Sequence, residues 1–339
     1  MPKFYEFKMR LIYSIFGLLF ITNLHAQYGR IDSLARSCPV DSMQSLMQVA
    51  NYLKSISSTD KEIARSIYTW ICENIRYDDK AFNEGTTSAM EPTEILKGKK
   101  AVCIGYAILY AELGSLCGIV AEVVTGYSKG YDYIEGYPLE EPEHAWNVVS
   151  IDGEFFLLDA TWGAGAGETN KKGKLVSKKG FDDQWFLMQP EHAIFTHYAE
   201  YLPGLFKSMP AVSLKDFEHL PNLRPSMFTK NLLQPDPFFT QLTSKTYLFA
   251  PEVYDIPFEI EHSEVPHQLV LKHKKPIQIE ITTNAVPSIY VVDQNDQYTA
   301  LKNDGGVFRL TYKPELTGEL KIVVQNDQHY YTLYQYEVR

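Results

Sequence analysis

The sequence predicts an α+β chain: a helical N-terminal part with an antiparallel sheet, followed by a small all-β sandwich. Three observations carry this. Ile63, Ile67, Ile71 and Ile75 recur at spacings of four and form the apolar stripe of one helix. Asp152-Gly153 stands between two apolar runs, a strong two-residue hairpin signal. From His267 to Val338 the chain alternates apolar and polar residues in short runs such as Gln278-Ile279-Glu280-Ile281 and Leu320-Lys321-Ile322-Val323-Val324. Turn residues such as Asp304-Gly305-Gly306 separate those runs, the pattern of a sandwich. At 339 residues there is room for two ordinary domains, and 22% charged residues with 45% apolar ones is globular composition rather than disorder.

The elements follow in order. Lys3, Lys8 and Arg10 precede the apolar run Leu11–Ile21, and Leu24-His25-Ala26 offers a small residue for cleavage. A spanning helix needs about 20 apolar residues, so residues 1–26 are expected to be a signal peptide, with no membrane span left after cleavage. Met9 is an alternative start, and Gln27, not Cys, follows the cut, so a lipid anchor is not expected. Cleavage takes three basic and one acidic side chain from 32 and 42, leaving 29 and 41, a net charge of −12. With no basic patch interleaved with aromatics, nucleic acid is not an expected partner.

Residues 41–57 form an amphipathic pattern. Thr59-Asp60-Lys61-Glu62 is a capping-box signature ahead of the isoleucine stripe. A loop is expected over 79–100, then a helix from Cys103 to Leu116 that stops at Gly118. Ala121–Tyr127 is an expected strand, 128–143 a loop, 144–161 a hairpin, and 163–180 a Gly- and Lys-rich mobile loop. The chain is then Pro-interrupted to about 237. The expected domains are 27–233 and 234–339.

Four cysteines, Cys38, Cys72, Cys103 and Cys117, invite a disulfide reading in an exported chain. Cys103 and Cys117 would lie about 21 Å apart on one helix, too far to bridge, and Cys72 and Cys117 sit in apolar helical runs that bury thiols. No CxxC supports zinc, Asp78-Asp79 and Asp182-Asp183 are too sparse for calcium, and no cofactor is expected. His192 and His197 are five apart and lack the helical spacing of a zinc pair; they are taken as structural.

The hairpin carries a geometric prediction. With Asp152-Gly153 as the turn, Ile151 faces Glu154, Trp146 faces Asp159 and His144 faces Thr161, which puts His144 and Asp159 on one side of the sheet as diagonal neighbours. A carboxylate that close orients an imidazole. Cys103 completes the set: at a helix N-terminus, exposed N–H groups and the dipole favour a thiolate, and an imidazolium favours it further. First-turn N–H groups can bind a developing oxyanion. Cys103, His144 and Asp159 are therefore the candidate nucleophile, acid/base and orienter. Trp146 and Trp162 are equally well core or substrate wall, and the tyrosines of 127–137 stack on sugars or simply pack the loop.

At these residues the chain resembles the transglutaminase-like superfamily, kyphoscoliosis-peptidase type. The matching text is Ile67-Tyr68-x-Trp70-Ile71-x-x-Asn74-Ile75-x-Tyr77-Asp78, Val102-Cys103-x-Gly105-Tyr106-Ala107, His144-Ala145-Trp146-Asn147 and Asp159-Ala160-Thr161-Trp162-Gly163, with Trp185-Phe186-Leu187-x-x-Pro190 and His197-Tyr198 downstream. Ala101 stands where the family usually has Gly, and Ala199 and Pro203-Gly204 depart from its downstream segment. The resemblance, over about 60–200, implies a papain-like α+β core with Cys103 as nucleophile, His144 as base and acid, and Asp159 as orienter. The family includes peptidases, cross-linkers, amide hydrolases and inactive scaffolds, which the motifs do not separate. Taken with the expected signal peptide, the favoured expectation is an exported thiol hydrolase, periplasmic or extracellular, that cleaves an amide bond in a protein or peptide, with the cell envelope one source of substrate. Protein cross-linking by acyl transfer, and a non-catalytic surface-binding scaffold that keeps the fold, are the alternatives.

Overall fold

The structure is a computed structural model that describes residues 28–86, 90–199, 211–242 and 246–339. The expected signal segment, residues 1–26, lies outside the described residues. Among the described residues, no helix is long and apolar enough to cross a membrane. The chain divides into two compact units: the first runs to Thr125 and includes Glu143–Gln189, the second comprises Gly126–Pro142 and Pro190–Arg339.

The first unit opens with α1 (28–36) and α2 (Leu46–Ser55), then α3 (Asp60–Asn74), which carries the isoleucine stripe in a fully buried middle. The Thr59 hydroxyl accepts the Glu62 N–H at 3.2 Å, as its position predicts. The Glu62 carboxylate reaches the Ser58 N–H at 2.6 Å, one residue ahead of the reciprocal capping bond expected from the sequence. Where a loop was expected over 79–100, the chain forms β1 (Arg76–Tyr77), α4 (Asp79–Glu84), α5 (Pro92–Gly98) and β2 (Lys100–Ala101). Asp78 caps α4 and Pro92 opens α5, signals too short to show a periodicity. Next come α6 (Cys103–Cys117), ended by Gly118 at φ 91°, and β3 (Val120–Ser128). In αL, where a side chain is costly, glycine stops the helix.

β4 (His144–Ile151) and β5 (Glu154–Leu158) form the hairpin, with Ile151 opposite Glu154 and Asn147 opposite Leu158, the register the sequence predicts. Asp152 at φ 53° and Gly153 at φ 81° make the turn. The ladder stops there. Asp159 does not pair with Trp146, nor Thr161 with His144: Ala160–Gly163 is a helical turn, α7, capped by Asp159. Aspartate competes with a strand by bonding nearby N–H groups, and here it wins. The sheet of this unit has the order β5-β4-β3.

Residues 163–180 differ from the loop expected there: β6 (Gly165–Thr169) and β7 (Leu175–Lys179) pair in register from Gly165–Lys179 to Thr169–Leu175. Apart from Leu175 and Val176 at the start of β7 the residues are small or polar, so no apolar alternation announces the strands. Asn83 holds the hairpin, bonding both the N–H and the carbonyl of Leu175 at 2.9 Å.

In the second unit, Tyr127 and Ser128 at the end of β3 pair with β8 (His197–Tyr198), which follows α8 (Pro190–Ala193). Short helices α9 (Leu214–His219), α10 (Pro225–Thr229) and α11 (Asp236–Gln241) lead to the strands. These are β9 (Glu252–Val253), β10 (His262–Glu264), β11 (Val270–Leu271), β12 (Ile277–Thr282), β13 (Ser288–Asp293), β14 (Tyr298–Ala300), β15 (Lys302–Asp304), β16 (Val307–Tyr312), β17 (Gly318–Asn326) and β18 (His329–Val338). One sheet has the order β10-β12-β16-β15; the other has β11-β18-β17-β13-β14, with β9 also on β18. Ile281 and Phe308 from the first and Val291, Ile322 and Leu333 from the second meet in one apolar cluster, as a sandwich requires. Phe195, Phe217, Leu232, Leu233 and Phe238 belong to the same cluster, so position 234 falls within continuous packing. Lys129 is buried there, with Nζ donating to the Leu220 carbonyl and lying 4.6 Å from the Phe217 ring; burial pushes its ammonium down to about 7.

Candidate active site

The chain enters the site through β1 and β2, which pair in parallel with Tyr77 opposite Ala101. The Asp78 N–H donates to the Ala101 carbonyl at 2.9 Å, and Lys100 pairs with the Asp78 carboxylate at 3.1 Å. Ala101, the departure from family glycine, is fully buried in β2, where extended backbone accepts a methyl. Two residues on, Cys103 is the first residue of α6. Val102 at the N-cap offers no side-chain bond to the first turn; its carbonyl accepts the Gly105 N–H at 2.9 Å and the Tyr106 N–H at 3.2 Å. The helix is anchored to α3 and the residue after it: the Tyr106 hydroxyl donates to the Ile75 carbonyl at 2.9 Å, and that of Tyr110 to the Ala64 carbonyl at 3.1 Å.

Cys103 Sγ is 3.9 Å from the Glu143 carbonyl, the residue before His144, and the thiol hydrogen-bonds the His144 imidazole. His144 is buried at the start of β4, and its Nε2 is 2.7 Å from Asp159 Oδ2, which leaves Nδ1 for the thiol. Asp159 is fully buried. Its other oxygen, Oδ1, accepts the N–H groups of Thr161 at 2.8 Å and Trp162 at 3.0 Å, and its own N–H donates to the Trp185 carbonyl at 3.0 Å. These bonds hold the plane of the carboxylate toward the imidazole. The imidazole stacks on Trp162, with centroids 5.2 Å apart and planes at 25°, and lies 5.9 Å from Trp146. Trp162 in turn packs edge-on against Trp185 at 4.7 Å. The three residues singled out from the sequence thus converge in the first unit, although His144 and Asp159 do so through a capped turn rather than a continuous ladder.

Burial alone would lower the His144 pKa, but the Asp159 charge and hydrogen bond, with the Cys103 thiol, outweigh it and raise the imidazole to about 10. His144 therefore holds its proton at neutral pH. The raised value fixes a sign. Below the ordinary 6.5 both folded and unfolded chains are protonated and the stabilisation is complete; between 6.5 and about 10 the unfolded chain releases the proton first, so the stabilisation falls as pH rises. Replacing His144 with Asn is expected to remove that slope. Urea midpoints of both chains at pH 6, 8 and 9.5 check it, and parallel pH dependences would contradict the assignment.

Residues 47–160 match the family model described as the transglutaminase-like superfamily. The chain carries a transglutaminase-like domain. The human kyphoscoliosis peptidase is similar, 33% identical over 214 residues, 62% of this chain and 31% of that protein. The Lim and transglutaminase domain protein ltd-1 of Caenorhabditis elegans is 28% identical over 222 residues, covering 60% and 29%. Hillarin of Drosophila melanogaster is 27% identical over 219 residues, covering 61% and 26%. The chain spans less than a third of the length of these relatives. A solved TGase structure matches at 20% identity and TM-score 0.28, over 36% of this chain and 31% of that one; the fold assignment rests on the strand order and register described above.

Two features of the transglutaminase-like domain went unread in the sequence. One is the role of Asp159 as a helix cap, signalled only by Asp-x-Thr-Trp at the end of an apolar strand. The other is Asn147, the polar residue of the run His144-Ala145-Trp146-Asn147-Val148-Val149, which is 1% exposed and donates from Nδ2 to the Ala107 carbonyl at 2.9 Å and the Glu122 carbonyl at 3.3 Å. The four cysteines are free, with Cys38, Cys72 and Cys117 buried and Cys103 partly exposed. His192 stacks on Phe228 at 5.1 Å in the second unit, and His197 Nδ1 lies 2.9 Å from the Thr196 hydroxyl there.

Proposed function

We propose that this protein is a thiol hydrolase of amide bonds in proteins or peptides, with Cys103 as nucleophile, His144 as acid and base, and Asp159 as the group that orients and charges His144. The observation that carries the reading is a partly exposed thiol at the first residue of a helix, bonded to a buried imidazole that a saturated carboxylate keeps protonated.

In the reaction the Cys103 thiolate attacks the amide carbonyl carbon, forming a C–S bond as the carbonyl pair moves onto oxygen. N–H groups at the start of α6 are the proposed donors to that oxyanion. The C–N bond then breaks and the His144 proton goes to the leaving amine, which departs and leaves a thioester and a neutral imidazole. Water attacks the thioester as His144 takes its proton; the C–S bond breaks, the acid leaves and the thiolate–imidazolium pair returns. No step needs a metal or organic cofactor. The name peptidase carried by the human relative supports hydrolysis over transfer to an amine. Export is part of the proposal and rests on the basic and apolar parts of residues 1–26.

The test is iodoacetamide labelling of Cys103 at neutral pH, followed by mass spectrometry of the products formed from a denatured protein mixture. Fast labelling that slows in His144→Ala, with new peptide termini that disappear in Cys103→Ala, is the expected result. Equal labelling with and without His144 would sink the mechanism, and incorporation of an added amine in place of new termini would turn it to cross-linking.

A further inference from the structure

We propose that Asn147 is a positioning residue that sets where the nucleophile's helix stands along the strand that carries the imidazole. The proposal rests on the catalytic reading above. It starts from a property of α6: the helix is apolar nearly all round, with Gly105, Tyr106, Ala107, Leu109, Tyr110, Leu113, Gly114 and Cys117 buried. Apolar packing holds such a helix in place but has no direction, so it tolerates sliding and rotation by fractions of an ångström. Catalysis does not tolerate them. A thiolate displaced by about 1 Å from its partner loses on the order of 100-fold in rate.

Directional bonds must therefore set the position. The tyrosine hydroxyls of α6 tie it to α3 and Ile75, which carry none of the reacting groups. Asn147 ties it to β4, the strand that begins at His144. Its amide donates to Ala107, four residues and about 6 Å along the axis from Cys103. The same Nδ2 reaches Glu122 in β3, so helix and two strands meet on one side-chain nitrogen. One rigid strand thus presents the imidazole and, three residues later, holds the helix that presents the thiol.

A second observation separates this from routine core packing. The Oδ1 of Asn147 is buried and accepts no hydrogen bond among the described residues. An unmade bond of that kind costs about 1–3 kcal/mol, and leucine, of similar volume, would avoid it. For stability alone the position is poorly filled; for fixing a helix against a strand it needs a donor.

The experiment uses the full chain and reads iodoacetamide labelling of each cysteine by mass, from pH 5 to 9, in wild type, Asn147→Leu and Asn147→Ala, with Tm in parallel. In Asn147→Leu the Tm is expected to hold or rise while Cys103 labelling at neutral pH falls about tenfold or more, its pH profile moving toward that of His144→Ala. Asn147→Ala, which removes both bonds without crowding, is expected to slow Cys103 in the same way if the leucine chain folds poorly. A merely structural role gives another signature: Cys72 and Cys117 become labelled while the Cys103 profile keeps its shape. That signature, or wild-type Cys103 labelling in a folded variant, overturns the proposal. Slow labelling of Cys103 in wild type itself is a different result, because it removes the catalytic reading beneath it.

Discussion

Asp159→Asn is expected to lower turnover by about two to four orders of magnitude in a protein that still folds, the range of a lost general acid–base function. The asparagine keeps an oxygen for the Thr161 and Trp162 N–H groups, so the cap of α7 survives. What changes is the atom facing His144: an amide nitrogen donates where a carboxylate oxygen accepted at 2.7 Å. The ring must then present an unprotonated Nε2 to that side, and the charge that raised the imidazole to about 10 is gone. Without it burial dominates, the proton is lost at neutral pH, and the thiol loses its cationic partner. Asp159→Ala makes a useful contrast. It strips an acceptor from two backbone donors and one ring nitrogen, each costing about 1–3 kcal/mol, so it should lose stability as well as rate. Circular dichroism with steady-state kinetics on both variants separates the effects; near-normal turnover in Asp159→Asn would remove the carboxylate from the mechanism.

Gly163→Ala is expected to produce the largest loss of stability. A methyl group there would stand 2.0 Å from the Tyr68 hydroxyl and 2.5 Å from the ring carbon bearing it, inside any van der Waals distance. Tyr68 has nowhere to go. It is fully buried in α3, its hydroxyl donates to the Asp182 carbonyl at 2.5 Å, and its ring lies 5.2 Å from Phe186. The clash should cost about 3 kcal/mol, since overpacked cores move backbone as well as side chains. For a unit of this size that is roughly 6–12 °C in Tm. Because Gly163 ends the turn that Asp159 opens, the displaced backbone also carries the carboxylate with it. Adding Tyr68→Phe removes the closest atom and should restore part of the Tm; an alanine variant melting within a degree or two of wild type would contradict the geometry.

Local chemistry determined much of this protein from its sequence. The isoleucine stripe of α3, the stop at Gly118 and the Asp152-Gly153 turn each need only neighbouring residues, and the turn set the hairpin register because side chains alternate with period two. The register predicted His144 and Asp159 on one side of the sheet; they do meet, but through the turn that Asp159 caps, after the ladder has ended at Leu158. Other features are settled by partners distant in sequence. The polar hairpin of β6 and β7 has no apolar alternation and is held by Asn83, about 90 residues away. Asp159 leaves the strand because the N–H groups of Thr161 and Trp162, with the Trp185 carbonyl, offer it better bonds than the ladder. Asn147 reads as a polar interruption of an apolar strand until Ala107 and Glu122 are seen beside it. Periodicity and turn residues express which face of an element is buried. They do not express which buried polar atoms meet, because those bonds join elements whose spacing is set only when the core closes.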